Sequence, residues 1–235
     1  MTKQFASSQF EQELLRDFQL VGGMDEVGRG ALAGPVGIGL CVISAATKPA
    51  PPTLADSKLL AAKTRESLVS VVEEWAEGAT VTYGTSQEID QLGIIGAQRL
   101  AGWRALEQMR NKQLLPSVVI LDGCHDWLSP PQDLFASMEL ETQFPELFSV
   151  FPKVIMRVKA DRDLTVVAAA SVLAKVSRDA FMKALPDPGY GWAQNVGYGT
   201  KTHLLGLDAL GPSEYHRMSW KVNGQSLETQ TKGNK

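Results

Sequence analysis

The chain has 235 residues, of which 44% are hydrophobic and 21% charged, with a formal net charge of −3. That length supports one domain with a substantial core, and the composition is that of an ordinary globular protein without low-complexity blocks or internal repeats. No apolar run approaches the ~20 residues that span a bilayer, no basic-then-apolar leader opens the chain, and Cys41 and Cys124 form no metal or redox pattern, so a cytoplasmic protein is expected. The negative charge argues against a nucleic-acid partner, but its distribution does not. Five acidic residues and no Lys or Arg lie between Cys124 and Pro152, whereas seven basic and three acidic residues lie between Lys153 and Lys183. An acidic insertion masks a basic segment.

In chain order, residues 1–20 read as an amphipathic helix, with Ser8 and Glu11 as a capping box and Phe10, Leu14, Leu15 and Phe18 on one stripe. Leu20–Val27 and Val36–Ile43 read as strands joined by a glycine-rich hairpin. A proline-broken loop follows from Lys48 to Pro52, then a helix over Thr64–Glu77 and a short strand over Ala79–Gly84. Ile89–Met109 carries a helical pattern loosened by Gly93, Gly96 and Gly102. Ser117–Leu121 and Val154–Val158 are apolar runs of the kind found in buried central strands. Leu164–Leu185 is a strong helix whose Ala168, Ala169 and Ala170 let it lie close to a sheet. The order α-β-β-α-β-α-β-β-α predicts an α/β fold, a mixed five-stranded sheet with helices on its faces. The stretch from Lys221 is expected to be a disordered tail.

The most informative segment is Asp25-Glu26-Val27-Gly28-Arg29-Gly30. Adjacent side chains of a regular strand point to opposite faces, so two neighbouring carboxylates serve one site only where the strand bulges or ends. Two such carboxylates raise one another's pKa unless a cation lies between them. Bare glycine backbone beside them permits close approach by a sugar or phosphate. Gly28, Gly30 and Gly34 mimic a dinucleotide-binding loop, but Pro35 and a strand follow where that reading needs a helix. A solvated surface turn remains the plain alternative.

Asp25, Glu26, Asp122 and Asp161 each end or interrupt an apolar strand, and ligand sites of open sheets gather outside strand ends. Four hard oxygen donors without His or Cys suit Mg²⁺ or Mn²⁺, and two such ions ~3.5–4 Å apart can activate water and stabilise the leaving oxygen of a phosphodiester.

With these residues in place the sequence resembles the bacterial ribonuclease HII family. Asp25 to Gly30 with Gly34-Pro35-Val36 is similar to the opening signature, Asp56-Ser57-Lys58 to the second block and Leu121-Asp122-Gly123 to the third. Lys159-Ala160-Asp161 running into Ala168–Asp179 resembles the fourth, and Gly197-Tyr198-Gly199-Thr200 with His203, then His216-Arg217, the C-terminal blocks. The resemblance implies a ribonuclease H-like catalytic domain over residues 21–185, after an N-terminal helical extension over 1–20. It also implies a C-terminal helical substrate-binding region over 186–221, with 222–235 as tail. It implies endonucleolytic cleavage of the RNA strand of RNA–DNA hybrids and nicking 5′ of single ribonucleotides in duplex DNA, leaving 3′-hydroxyl and 5′-phosphate ends. Asp25, Glu26, Asp122 and Asp161 would be the catalytic and metal-binding carboxylates for two Mg²⁺ or Mn²⁺ ions. Gly28, Arg29 and Gly30 would read the 2′-OH beside the cut, which distinguishes RNA from DNA, and Tyr198 would pack on the following deoxyribose.

Lys58, Ser171, Lys175 and Arg178 complete the expected substrate-binding set, the last three on one helical face suited to a phosphate track. Each has a structural alternative, and Arg178 beside Asp179 leans towards it. Tyr190, Trp192, His203 and His216 read as packing or hydrogen-bonded structural residues, and His125 and Asp126 as a polar loop. Val196 stands where the family has a basic residue, Ala160 where it has glycine, and Gly93-Ile94-Ile95-Gly96 replaces a more polar segment. A monomer is expected, with the tail available to a replication factor. A ribonuclease H-like nuclease without junction preference, and a non-catalytic nucleic-acid-binding module, are the alternatives.

Overall fold

The computed structural model describes residues 9–51, 54, 62–222 and 225–227; the Asp56-Ser57-Lys58 block and Ser8 lie outside them. The described elements begin with α1 (Gln9–Leu14), β1 (Leu20–Val27), β2 (Val36–Ser44), α2 (Ala62–Trp75), β3 (Gly78–Gly84), α3 (Ser86–Asn111) and β4 (Val118–Asp122). They continue with α4 (Leu134–Gln143), α5 (Pro145–Ser149), β5 (Lys153–Arg157), α6 (Ala160–Asp163), α7 (Thr165–Ala184), α8 (Trp192–Asn195), α9 (Lys201–Leu210), β6 (Lys221–Val222) and β7 (Gln225–Ser226). The main sheet has five strands in the order β3-β2-β1-β4-β5, antiparallel on the β3-β2-β1 side and parallel from β1 to β5. The expected mixed five-stranded sheet is the one observed.

Alternation along the strands divides the core in two. Val21, Cys41, Val118 and Ile120 pack beneath α7, while Met24, Leu40, Val119 and Leu121 pack against α3. Helix α7 lies unusually close to the sheet because β1 and β2 present glycine beneath it. A Cβ on Gly23 would stand 2.7 Å from the Val166 backbone, and one on Gly39 2.1 Å from the Ala170 carbonyl oxygen. The small alanine side chains of α7 and the strand glycines together permit this approach.

Several expectations are corrected. The N-terminal helix ends at Leu14, and Glu11, fully buried, accepts hydrogen bonds from Thr165 Oγ1 (2.9 Å) and Val166 N–H (3.0 Å), so it caps α7 from a distance; the expected capping box lies outside the described residues with Ser8. From residue 9 this segment packs on the core, through Phe10, Leu14, Leu15 and Phe18. Of the three glycines in α3 only Gly93 breaks the helix, at φ 71° and ψ 169°. The acidic insertion contains two helices that the sequence pattern did not announce. Its Trp127, Leu128, Leu140, Phe144 and Leu147 close the α3 side of the core, and Trp103 stacks on Phe151 at 4.8 Å. Chain expected to be tail from 222 onwards instead begins as the β6–β7 hairpin, with Leu227 fully buried; 228–235 lie outside the described residues. No helix among the described residues is long and apolar enough to cross a membrane.

Candidate active site

Strand β1 pairs with β4 only as far as Met24–Leu121, and with β2 in regular register to Val27–Gly37. No bulge brings Asp25 and Glu26 together. Instead β4 stops one residue later, at Asp122, so β1 runs on with one edge uncovered and both carboxylates reach the mouth of a cleft at the carboxyl ends of the parallel strands. This cleft, of about 370 Å³, is lined by Asp25, Glu26, Val27, Gly28, Arg29, Gly30, Ser171, Lys175 and Tyr198. Asp122 and Asp161 stand outside that lining. Asp122 Oδ1 accepts the Ala160 N–H at 2.7 Å, which holds the start of α6, and buried Asp161 follows in the first turn. The left-handed residue there is Lys159, at φ 63°, so Ala160 sits in ordinary helix and needs no glycine freedom.

Asp25 faces α7, where Ser171 hydrogen-bonds it. Burial pushes the Asp25 carboxyl up to about 8, and repulsion from Glu26, Asp122 and Asp161 adds to the shift, against the Ser171 hydrogen bond. Glu26 is raised too, chiefly by burial, and Arg29, 3.5 Å away, opposes the rise. The four carboxylates therefore share one field, although among the described residues no three acidic, His or Cys side chains are grouped closely enough to hold an ion. Hard oxygen donors in mutual repulsion, partly buried and open to a cleft, fit a hard divalent cation.

The remaining expected substrate residues divide. Ser171 and Lys175 line the cleft, Lys175 being held by Asp179 at 2.8 Å. Arg178 does not: it is fully buried, and its guanidinium donates to the carbonyls of Pro35 (2.8 Å), Val196 (2.9 Å) and Ala33 (3.2 Å). The helix face that puts Ser171 and Lys175 in the cleft turns Arg178 under the glycine loop, so it is a strut and not a phosphate contact. Val196 likewise is mostly buried, in a left-handed conformation at φ 44°. Lys58 lies outside the described residues.

Arg217 is a site residue that sequence reasoning placed in a motif without giving it a role. Fully buried, it donates to Gly28 O (2.7 Å), Arg29 O (2.8 Å) and Gly34 O (3.1 Å). These loop carbonyls are therefore engaged from behind, whereas no described residue accepts from the N–H groups of Gly28, Arg29 or Gly30. Opposite the loop, the Tyr198 ring lies 4.0 Å from the position a Gly30 Cβ would take, with the Arg178 guanidinium 5.7 Å beneath the ring. Main-chain bonds from Leu32 and Ala33 to the Gly197 carbonyl and from Gly34 to the Tyr215 carbonyl bind the C-terminal region to the loop. Tyr190 and Trp192 pack inside that region, and Asp126 accepts from Leu128 and Ser129 in a loop turn, as expected of structural residues.

A five-stranded mixed sheet with acidic strand ends opening on a basic helix defines a nuclease of the ribonuclease H fold. Residues 22–223 match the family model of ribonuclease HII, and the chain belongs to that family. It is 38% identical over 204 residues to ribonuclease HII of Streptomyces avermitilis, covering 86% of this chain and 77% of that protein. It is also 38% identical over 214 residues to a ribonuclease HII of Thermus thermophilus, covering 90% and 91%. Its fold matches the crystal structure of ribonuclease H2 from Pyrococcus horikoshii OT3, with TM-score 0.61 and 22% identity over 92% of this chain and all of that one. The chain is accordingly a metal-dependent endoribonuclease that acts on RNA–DNA hybrids.

Proposed function

We propose that the enzyme cuts the RNA strand 5′ of the last ribonucleotide before DNA, including a single ribonucleotide in duplex DNA, leaving a 3′-hydroxyl and a 5′-phosphate. The observation that carries this reading is the shared cleft, in which Asp25 and Glu26, the open N–H groups of Gly28–Gly30 and the Tyr198 ring face one another. Two Mg²⁺ or Mn²⁺ ions held by Asp25, Glu26, Asp122 and Asp161 would supply Lewis-acid activation of water and neutralise the leaving oxygen. The chain's own residues do the rest. Donors at Gly28–Gly30 suit the oxygen of a 2′-OH, the group that marks a ribonucleotide. A flat ring facing them favours a sugar without that hydroxyl on the other side. Lys175, held by Asp179 on the cleft wall, offers a positive charge to the backbone phosphate. Ser171 donates to Asp25 and orients its carboxylate.

Cleavage of a labelled DNA duplex containing one ribonucleotide, with Mg²⁺, with Mn²⁺ and with EDTA, tests the reading. The expected result is a metal-dependent nick on the 5′ side of the ribonucleotide. Cutting of a uniform RNA strand on DNA without that nick would favour a nuclease lacking junction preference. A contact with a replication factor through residues 228–235 is a separate proposal, checked by binding with and without that segment.

A further inference from the structure

Behind the Tyr198 wall lie two histidines that do not line the cleft. His203 and His216 are 0% and 1% exposed, and their Nε2 atoms are 2.9 Å apart. The direction of every hydrogen bond in this pair follows from one main-chain donor. The Ser213 N–H points at His216 Nδ1 (2.9 Å), and an N–H can only donate, so His216 Nδ1 accepts. The Ser213 hydroxyl reaches the same nitrogen at 2.9 Å. His216 therefore carries its proton on Nε2 and gives it to His203 Nε2. His203 in turn carries its proton on Nδ1, which donates to the Tyr198 carbonyl at 3.0 Å. Both rings are neutral in this arrangement, since a proton added to either would set N–H against N–H. Burial, with repulsion between the rings at His216, depresses both pKa values. The rings around the pair are the aromatic Tyr190 and Trp192, and the charged group that bears on it is Asp187.

The same short segment reaches the other wall. His216 forms a main-chain bridge with Ala33, and Arg217, next in sequence, holds the carbonyls of Gly28 and Arg29. We propose that His203 and His216 are positioning residues for sugar recognition, a one-way imidazole relay that fixes the Tyr198 main chain against the Gly28–Gly30 loop. One dipeptide, His216-Arg217, thereby sets the width of the slot between the ring and the loop. This inference rests on the reading of Tyr198 as the deoxyribose contact.

The test compares kcat/KM on a duplex with one ribonucleotide and on a uniform RNA–DNA hybrid, in Mg²⁺, for the wild type, Tyr198→Ala, His203→Phe, His203→Asn and the Tyr198→Ala/His203→Phe double variant. Removing the Nδ1 donor while keeping the ring, His203→Phe should lower the single-ribonucleotide-to-hybrid ratio about threefold to tenfold, mainly through KM. His203→Asn, whose amide N–H can take the place of Nδ1–H, should recover most of the loss. The double variant should match Tyr198→Ala, because both changes act through one ring. If Tyr198→Ala lowers the ratio and His203→Phe does not, the relay is wrong and the sugar reading stands. If Tyr198→Ala leaves the ratio unchanged, the sugar reading fails and the relay with it. Should His203→Phe not fold, ¹⁵N-resolved histidine tautomers in the wild-type protein decide: Nδ1–H at His203 and Nε2–H at His216 are expected, and any other pairing overturns the relay.

Discussion

Gly28 has no room for a methyl group: its φ is 78°, and a Cβ there would fall 1.9 Å from Arg178 Nε. Gly28→Ala must displace a buried guanidinium that satisfies three carbonyls, as well as adopt a conformation unfavourable for an L-residue. It should cost on the order of 2 kcal/mol or more by denaturant unfolding and weaken hybrid binding together with it. Arg217→Met strips donors from Gly28, Arg29 and Gly34 at once, and should lower stability by roughly 3 kcal/mol or more while spreading loss over both KM and kcat. Asp25→Asn tests the opposite kind of residue, one whose charge opposes the fold. We expect metal-dependent cleavage to disappear with hybrid affinity retained within about threefold, since Lys175 and the glycine loop are untouched. A variant that still turns over in Mg²⁺ would remove Asp25 from the catalytic set. The carboxylates stood out as candidates in the sequence because each follows an apolar run, a purely local signal, and of the four Asp25 and Glu26 line the cleft. Arg178 has the structural role towards which its sequence leaned, but not its place in the cleft, because spacing puts it on the helix face of Ser171 and Lys175 and says nothing of the loop that covers it.

At the scale of elements, the position of α7 decides whether Ser171 meets Asp25. Two contacts set that position, the glycine floor of β1 and β2 and the distant cap from Glu11. Gly39→Ala would drive a methyl group into the Ala170 carbonyl, 2.1 Å away, and should destabilise by about 1–3 kcal/mol. Because the helix must lift, kcat should fall along with the melting temperature; an unchanged kcat would mean that the Ser171–Asp25 contact is not needed. Glu11→Ala leaves the Val166 N–H and the Thr165 hydroxyl without their acceptor and should cost about 1 kcal/mol, read from thermal unfolding. The strands and long helices were readable from their periodicity, with ends within a few residues. The insertion helices were not, because their buried positions Leu140, Phe144 and Leu147 are split by a helix break at Phe144 and α4 leaves Leu134, Phe135 and Met138 exposed.

For the molecule as a whole, the acidic cluster couples stability to pH and to metal. Asp25 keeps its proton in the fold to about pH 8 but gives it up near 3.8 when unfolded. Between those values unfolding releases a proton, so stability from this group is fully present below the unfolded pKa and is lost as pH rises through the folded one. In EDTA the melting temperature should decline by a few degrees between pH 5 and pH 8.5. Mg²⁺ or Mn²⁺ should restore it, and restore more at the higher pH, because the ion favours the ionised carboxylate and competes with the proton. Asp25→Asn should flatten the decline. A wild-type profile equally steep with and without metal would show that the cluster does not bind the ion.

The sequence by itself determined the strands and the helix that lies on them, and it offered four carboxylates as candidates, because periodicity and local motif report the environment of a few neighbouring residues; Asp161, expected at a strand end, lies instead in the first turn of α6. Tertiary structure alone decided that β4 stops where β1 runs on, so that adjacent Asp25 and Glu26 open on one cleft without a bulge. It also decided that Arg217 holds the loop at Arg29, 188 residues away in the chain, that Glu11 caps α7, and that His203 and His216 share a proton line to Tyr198. Those pairings depend on which buried donor meets which buried acceptor once the layers have packed, and a hydrogen bond across that separation leaves no period in the chain to read.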